Sequence, residues 1–311
     1  MQDTYKKQTS LLLDILPEIA KEDVFALHGG TAINLFCLNM PRLSVDIDLT
    51  YIPASGDRNT DLREIRSALE RIKAHLGQRM PFLHFDDPER AEEELKLICS
   101  SREATVKIEV NQINRGIIGD TELRVLCNKA QETFDKFCEV RVVPRKQLWG
   151  GKIVAALDRQ HPRDLFDIEN LLRGTGYTPE IKEGLMFFLL CSKRPVSELL
   201  NPNMLDHSAV LESQFGGMTD HPFGYDEYKL VREELVKIVN DSLTPEDKKF
   251  LLDFSAGNPD WTRRDYSRYP AVRWKQLNIN KLKESNPRKH VDQLEELKRI
   301  LGADSGQHMT K

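Results

Sequence analysis

The 311-residue sequence is poor in several of the features that identify common classes of protein. It has only five cysteines, Cys37, Cys99, Cys127, Cys138 and Cys191. The number is odd, no two follow a C-x-x-C spacing, and none has a histidine at metal-ligand spacing. This argues for reduced thiols and against a zinc site. Long apolar runs are missing too. The longest, Leu185 to Cys191, is far too short to span a bilayer and reads as a buried helix. The first residues, Met-Gln-Asp-Thr-Tyr-Lys-Lys, lack the apolar stretch of a secretory leader, so the expected location is the cytoplasm, with no membrane partner. Neither sign of charge dominates: the net charge is -4 at pH 7 and charged residues make up 30% of the chain. There is no G-K-[ST] loop, no internal repeat and no low-complexity segment.

Periodicity divides the chain near residues 144–150. Helical spacing runs through residues 5–20, with Pro17 as a local disturbance, and through residues 60–78. Val24 to Leu27 reads as a strand running into a glycine turn, and Thr31 to Leu38 as a helix with Ala32, Leu35 and Phe36 inward. Ile47, Leu49 and Tyr51 alternate with Asp46, Asp48 and Thr50 as a strand, and Pro53 to Asp57 breaks the chain. Further strands are expected at 82–85, 95–99, 104–110, 123–126 and 140–143. Beyond Pro144 the expected elements are helices, at 145–159, 164–173, 180–191, 225–240, 245–254 and 288–301, with a frayed tail from Ala303. The expectation is an α+β fold: an α/β domain over 1–145 built on a mixed sheet with flanking helices, then a mainly helical domain over 146–311.

Three clusters carry chemistry. Asp46 and Asp48 are two apart on a strand, so both side chains leave the same face, and like charges so placed call for a cation. Mg²⁺ suits hard oxygen ligands and leaves positions for substrate phosphates. Gly29-Gly30-Thr31 lies between a strand and a helix, where backbone N–H groups can approach a phosphate and Thr31 can offer a hydroxyl or cap the helix. Glu109 shares a strand face with Lys107 and is the candidate third metal carboxylate; a cross-strand ion pair is the alternative. Lys152 sits on the 145–159 helix, placed to offset phosphate charge, and Asp164 and Asp167 share a face of the next helix.

Taken together, H-G-G-T-A-I-N-L-F at 28–36, R-L-S-V-D-I-D-L-T-Y at 42–51, V-K-I-E-V-N at 106–111 and the stretch from Lys152 to Leu172 resemble the AbiEii/AbiGii family of nucleotidyltransferase toxins. That family is a branch of the DNA polymerase β-like nucleotidyltransferases. The resemblance implies a polymerase β-like domain and transfer of a nucleoside monophosphate from an NTP to an acceptor hydroxyl, with pyrophosphate released. It implies catalytic Asp46, Asp48 and Lys152 with Asp164 or Asp167, and nucleotide binding by Gly29, Gly30, Thr31, Arg42 and Ser44. The metal, Mg²⁺ with Mn²⁺ as alternative, falls to Asp46, Asp48 and Glu109. It further implies a toxin of a toxin–antitoxin or abortive-infection system, an RNA acceptor such as the 3′ end of tRNA, and a winged-helix antitoxin. A protein or small-molecule hydroxyl as acceptor, and a catalytically silent binding protein, are the competing readings.

Residues 261–290 hold nine basic and two acidic residues, a local balance of +7. Trp261, Tyr266, Tyr269 and Trp274 are interleaved with them. This pattern suits a phosphate backbone with unstacked bases, or equally a solvated helical face over packed aromatics.

Overall fold

A computed structural model describes residues 1–54, 56–86 and 95–303. The chain runs α1 (Asp3–Ile19), β1 (Phe25–His28), α2 (Gly29–Thr31), a π-helical segment (Ala32–Cys37), β2 (Asp46–Tyr51), α3 (Arg58–Arg79), β3 (His84–Asp86), β4 (Lys96–Ser100), β5 (Thr105–Val110), β6 (Glu122–Val125), α4 (Asn128–Phe134) and β7 (Glu139–Val142). Helices follow: α5 (Arg145–Arg159), α6 (Pro162–Arg173), α7 (Pro179–Cys191), α8 (Val196–Leu200), α9 (Ser208–Val210) with a π-helical turn (Leu211–Phe215), α10 (Tyr225–Ser242), α11 (Pro245–Ser255), α12 (Pro270–Ser285) and α13 (Pro287–Leu301). The fold is α+β.

The chain divides into two compact units, 1–148 with 209–223, and 149–208 with 224–311. The boundary falls inside α5, and the sequence pattern gave no sign that residues 209–223 leave the helical half. In the first unit a mixed seven-stranded sheet has the order β3-β4-β5-β2-β1-β7-β6. β2 lies at its middle, antiparallel to β1 and parallel to β5. Central strands need apolar residues on their covered face, and here Ile47, Leu49, Ile108 and Val110 are buried while Asp46, Asp48 and Lys107 stay partly open and Glu109 is exposed. α1 packs beside α3 and β5. Its inward Leu12, Ile15 and Leu16 are fully buried, each worth about 1.5–3 kcal/mol relative to exposure. The helix continues through Pro17 to Ile19.

In the second unit, the apolar run of α7 is buried as expected, and Phe187 packs edge-on against Tyr266 and Tyr269 at 5.3 and 4.9 Å. All six helices expected here are present within a residue or two. α8, α9 and α12 were not anticipated, nor was α4 in the first unit. α12 opens at Pro270 but buries only Ala271, Val272 and Lys275, so its apolar stripe is too thin to read by periodicity. The Thr31–Leu38 helix is largely π-helical, and Ile33 and Asn34 are buried along with Ala32, Leu35 and Phe36. Among the described residues, no helix is long and apolar enough to cross a membrane. Of the expected tail, residues 304–311 lie outside the described residues, as does Ser55 in the Pro53–Asp57 break.

Candidate active site

The antiparallel register of β1 and β2 sets His28 opposite Asp48, so Gly29 is the first residue past the strand end and abuts the Asp48 side chain. Gly29 adopts φ +69°, a region costly for residues with a Cβ. A Cβ there would overlap Asp48 Oδ2. The helical turn begins at this glycine, so the backbone N–H groups of Gly29 and Gly30 are among those that a helix start leaves without intrahelical partners. Asn34 Nδ2 donates to the Gly30 carbonyl at 2.9 Å and fixes the turn from within the π-helical segment. π-Helical turns recur at functional sites. Asn34 was not picked out from the sequence, since an Asn in an apolar helix leaves no pattern of its own.

The other side of the turn is a buried polar brace. A Cβ on Gly30 would come within 2.6 Å of Arg42 Nη2 and 3.3 Å of Ser44 Oγ. Arg42, Ser44 and Thr31 are 3%, 5% and 0% exposed. Thr31 Oγ1 donates to the Asp46 carbonyl at 2.5 Å and lies 2.8 Å from Ser44 Oγ. A hydroxyl has one hydrogen, so with that hydrogen on Asp46 the second contact is accepted from Ser44. Arg42 Nη1 donates to the Leu43 carbonyl at 2.9 Å, and Thr9 of α1 donates to the Ser44 carbonyl at 3.0 Å. Thr31, Arg42 and Ser44, the residues expected to touch nucleotide, are buried around this turn. Their polar groups face protein, and they hold the glycine turn and the start of β2 from behind.

In front, Asp46 and Asp48 leave one face of β2, and parallel pairing sets Asp46 opposite Lys107 and Asp48 opposite Glu109. Three carboxylates and one ammonium thus share a face of two adjacent strands. Lys107 Nζ pairs with Glu109 Oε2 at 2.6 Å. The hydrogen bond to Glu109 raises the Lys107 pKa, opposed by partial burial and helped by the charges of Glu109, Asp46 and Asp48. The acid face therefore already attracts a cation, and the ammonium stands where positive charge is wanted. Hard oxygen donors, the open front of β2 and a glycine with no side chain to fill the space all fit Mg²⁺ or Mn²⁺. Glu109 is committed to Lys107 in this conformation. Among the described residues, no three acids, histidines or cysteines are gathered closely enough to form a metal-ligand set by themselves.

The second unit contains the other cluster. Lys152 Nζ lies 2.9 Å from Asp164 Oδ1 and 2.9 Å from Asp167 Oδ2. All three are at least nine-tenths buried. Both aspartates, three apart on α6, reach the same lysine. Arg159 also pairs with Asp164 through Nε at 2.6 Å. Burial works against the Asp164 charge, but Lys152 and Arg159 hold its carboxyl far below the usual carboxylate range.

The α5–α6 corner that brings these groups together depends on Gln160, a buried non-glycine residue at φ +50°. Its side chain donates to the Asn203 carbonyl at 2.6 Å and accepts from Arg232 at 3.0 Å and from the Leu205 N–H at 3.2 Å, while its own carbonyl accepts from Tyr228 at 2.7 Å. His161 caps α6 by accepting from the Arg163 N–H at 3.1 Å. Gln160 is far in sequence from Tyr228 and Arg232, and only the His161-Pro162 turn hinted at the corner.

Thiolate chemistry has no support. All five cysteines are free, and burial raises every thiol, Cys37 to about 11 and Cys99 and Cys138 to about 12.

A family model described as nucleotidyl transferase AbiEii toxin, type IV toxin–antitoxin system, matches residues 10–276. Among solved structures, the chain is similar to the nucleotidyltransferase toxin MenT4 of Mycobacterium tuberculosis, with a TM-score of 0.62 at 14% identity, over 89% of this chain and 93% of that one. At that identity the likeness speaks to the fold. No curated protein matches by sequence.

Proposed function

The chain belongs to the AbiEii family of nucleotidyltransferase toxins of type IV toxin–antitoxin systems, and from that membership we propose that it moves a nucleoside monophosphate from an NTP to an RNA hydroxyl, at the 3′ end of tRNA. The observation that carries the reading is Gly29 seated directly against Asp48, with Asp46 on the same strand face. A phosphate-approaching turn and a metal-binding pair are thereby one structure. Asp46 and Asp48, assisted by Glu109, would hold Mg²⁺ or Mn²⁺. When bound, the metal would lower the pKa of the attacking hydroxyl and offset triphosphate charge.

The chain's own residues do the rest. Backbone N–H groups of Gly29 and Gly30 take triphosphate oxygens. Thr31, Arg42 and Ser44 keep that turn and Asp46 in fixed relation. Lys152 meets phosphate charge, and Asp164 and Asp167 set its position. The acceptor oxygen bonds to the α-phosphorus as its hydroxyl proton passes to solvent, the bond from that phosphorus to the bridging oxygen breaks, and pyrophosphate leaves with its electron pair. The reaction takes place in the cytoplasm, and the antitoxin is a winged-helix protein.

Incubation with each α-labelled NTP, Mg²⁺ and bulk tRNA tests this. Label is expected on RNA, about a hundred- to a thousandfold less with Asp48→Ala, on the scale seen when one strong electrostatic contact is lost from a reacting centre. Label on protein or on a small molecule instead would overturn the RNA acceptor.

A further inference from the structure

We propose that the outward face of α12 is the surface on which the RNA acceptor lies. This rests on the reading that the acceptor is RNA. Residues 261–290 carry a large positive excess, and the structure divides those residues into two groups.

One group is used internally. Arg264 pairs with the buried Asp247, and Lys275 points inward to donate to the Ser192 carbonyl at 2.7 Å and to the Arg194 carbonyl. Tyr266 and Tyr269 are buried beside Phe187, and Trp261 packs edge-on against Phe250 and Phe254. For these residues the packed-aromatic reading holds.

The other group faces out. At about 100° per residue, Arg273, Trp274, Leu277 and Lys281, with Glu284 the one acid among them, fall within one arc of about 100°, opposite the buried Ala271, Val272 and Lys275. Trp274 is 56% exposed and Leu277 63%. The arc runs about 12 Å along the helix from Arg273 to Lys281. Arg288 and Lys289, in the first turn of α13, are also exposed.

The second observation is pairing. On other helices of this unit several exposed cations are matched within their own helix: Lys237 with Asp241, Lys249 with Asp253, Lys298 with Glu295 and Arg299 with Glu296. Among the described residues, no acid lies within ion-pair distance of Arg273, Lys281, Arg288 or Lys289. Unmatched cations around an exposed indole suit a phosphate chain whose unstacked base lies on the ring: each cation releases counterions, and the π-face accepts any base. A lipid surface would need a broad apolar stripe, and Trp274 and Leu277 alone do not make one.

The test is binding of labelled bulk tRNA to the full chain, without NTP, from 50 to 200 mM salt. Arg273→Glu with Lys281→Glu is expected to weaken binding at least about tenfold. It should also flatten the slope of log affinity against log salt by about 1.4, for two single-strand phosphate contacts. Trp274→Ala is expected to weaken binding at least about fivefold. Thermal unfolding and binding of each of the four NTPs should be unchanged in both. Lys237→Glu with Lys249→Glu, on the paired helices, should cost less than twofold. Equal losses in this control, or unchanged affinity in the α12 variants, would overturn the surface. So would retained RNA affinity with loss of antitoxin binding, which would assign the face to a protein. No tRNA binding by the unaltered chain would sink the RNA reading itself, a distinct failure.

Discussion

Replacing Gly29 with alanine is expected to abolish most nucleotidyl transfer, by at least about a hundredfold, while the protein still folds. Two costs combine at this position. The backbone sits at φ +69°, where an L-residue with a Cβ loses about 1–2 kcal/mol. The added methyl would also occupy the place of Asp48 Oδ2. Since Gly29 is tied to the end of β1 and Asp48 to the middle of the sheet, the carboxylate must rotate away. A displacement of about 1 Å in a reacting centre is enough for a hundredfold loss. Gly30→Ala meets the buried end of Arg42 instead, so it should cost stability first and activity second. Transfer of label from NTP, measured beside thermal unfolding, separates the two. Near-normal transfer by Gly29→Ala would mean that Asp48 is not held where the metal and triphosphate meet.

Lys152→Met is expected to destabilise the second unit by about 3–5 kcal/mol, because it removes the cation shared by two buried carboxylates. For a unit of this size that is a fall of roughly 10 °C in its unfolding temperature. Asp164 has a folded pKa below its unfolded one. The stabilisation is therefore present above the ordinary carboxylate range and fades as pH falls toward the much lower folded value. Loss of activity in Lys152→Met alone would thus report folding as much as chemistry. The triple variant Lys152→Met, Asp164→Asn, Asp167→Asn removes both acids with the cation and should recover most of the lost stability. Transfer should not return, because the cation that meets phosphate charge is still missing. Recovery of both would make the cluster a structural feature only.

Much of this was legible in the sequence, for physical reasons that differ from place to place. The strand at 46–51 was readable because a half-open sheet face demands strict alternation. The same alternation put Asp46 and Asp48 together, and resemblance to a family gave the pair its meaning. The inward turn of Thr31, Arg42 and Ser44 was not legible: polar residues beside a glycine turn look alike whether they face a ligand or brace the turn. Nor was the sharing of Lys152 by two aspartates, since helix spacing sets faces and not distances. The Gln160 corner joins α5, the loop around Asn203 and Leu205, and α10, and long-range pairing of that kind has no local signature. In the 261–290 segment, composition could count charges but could not say which of them are matched.

The central claim is that Asp46 and Asp48 hold the divalent ion that serves the NTP. Electron paramagnetic resonance of Mn²⁺, titrated against the protein with saturating NTP, tests it directly. The unaltered chain should immobilise Mn²⁺ beyond the amount bound by free NTP, and Asp46→Asn with Asp48→Asn should remove that signal while thermal unfolding stays unchanged. Undiminished Mn²⁺ immobilisation in the double variant, with transfer intact, would contradict the account.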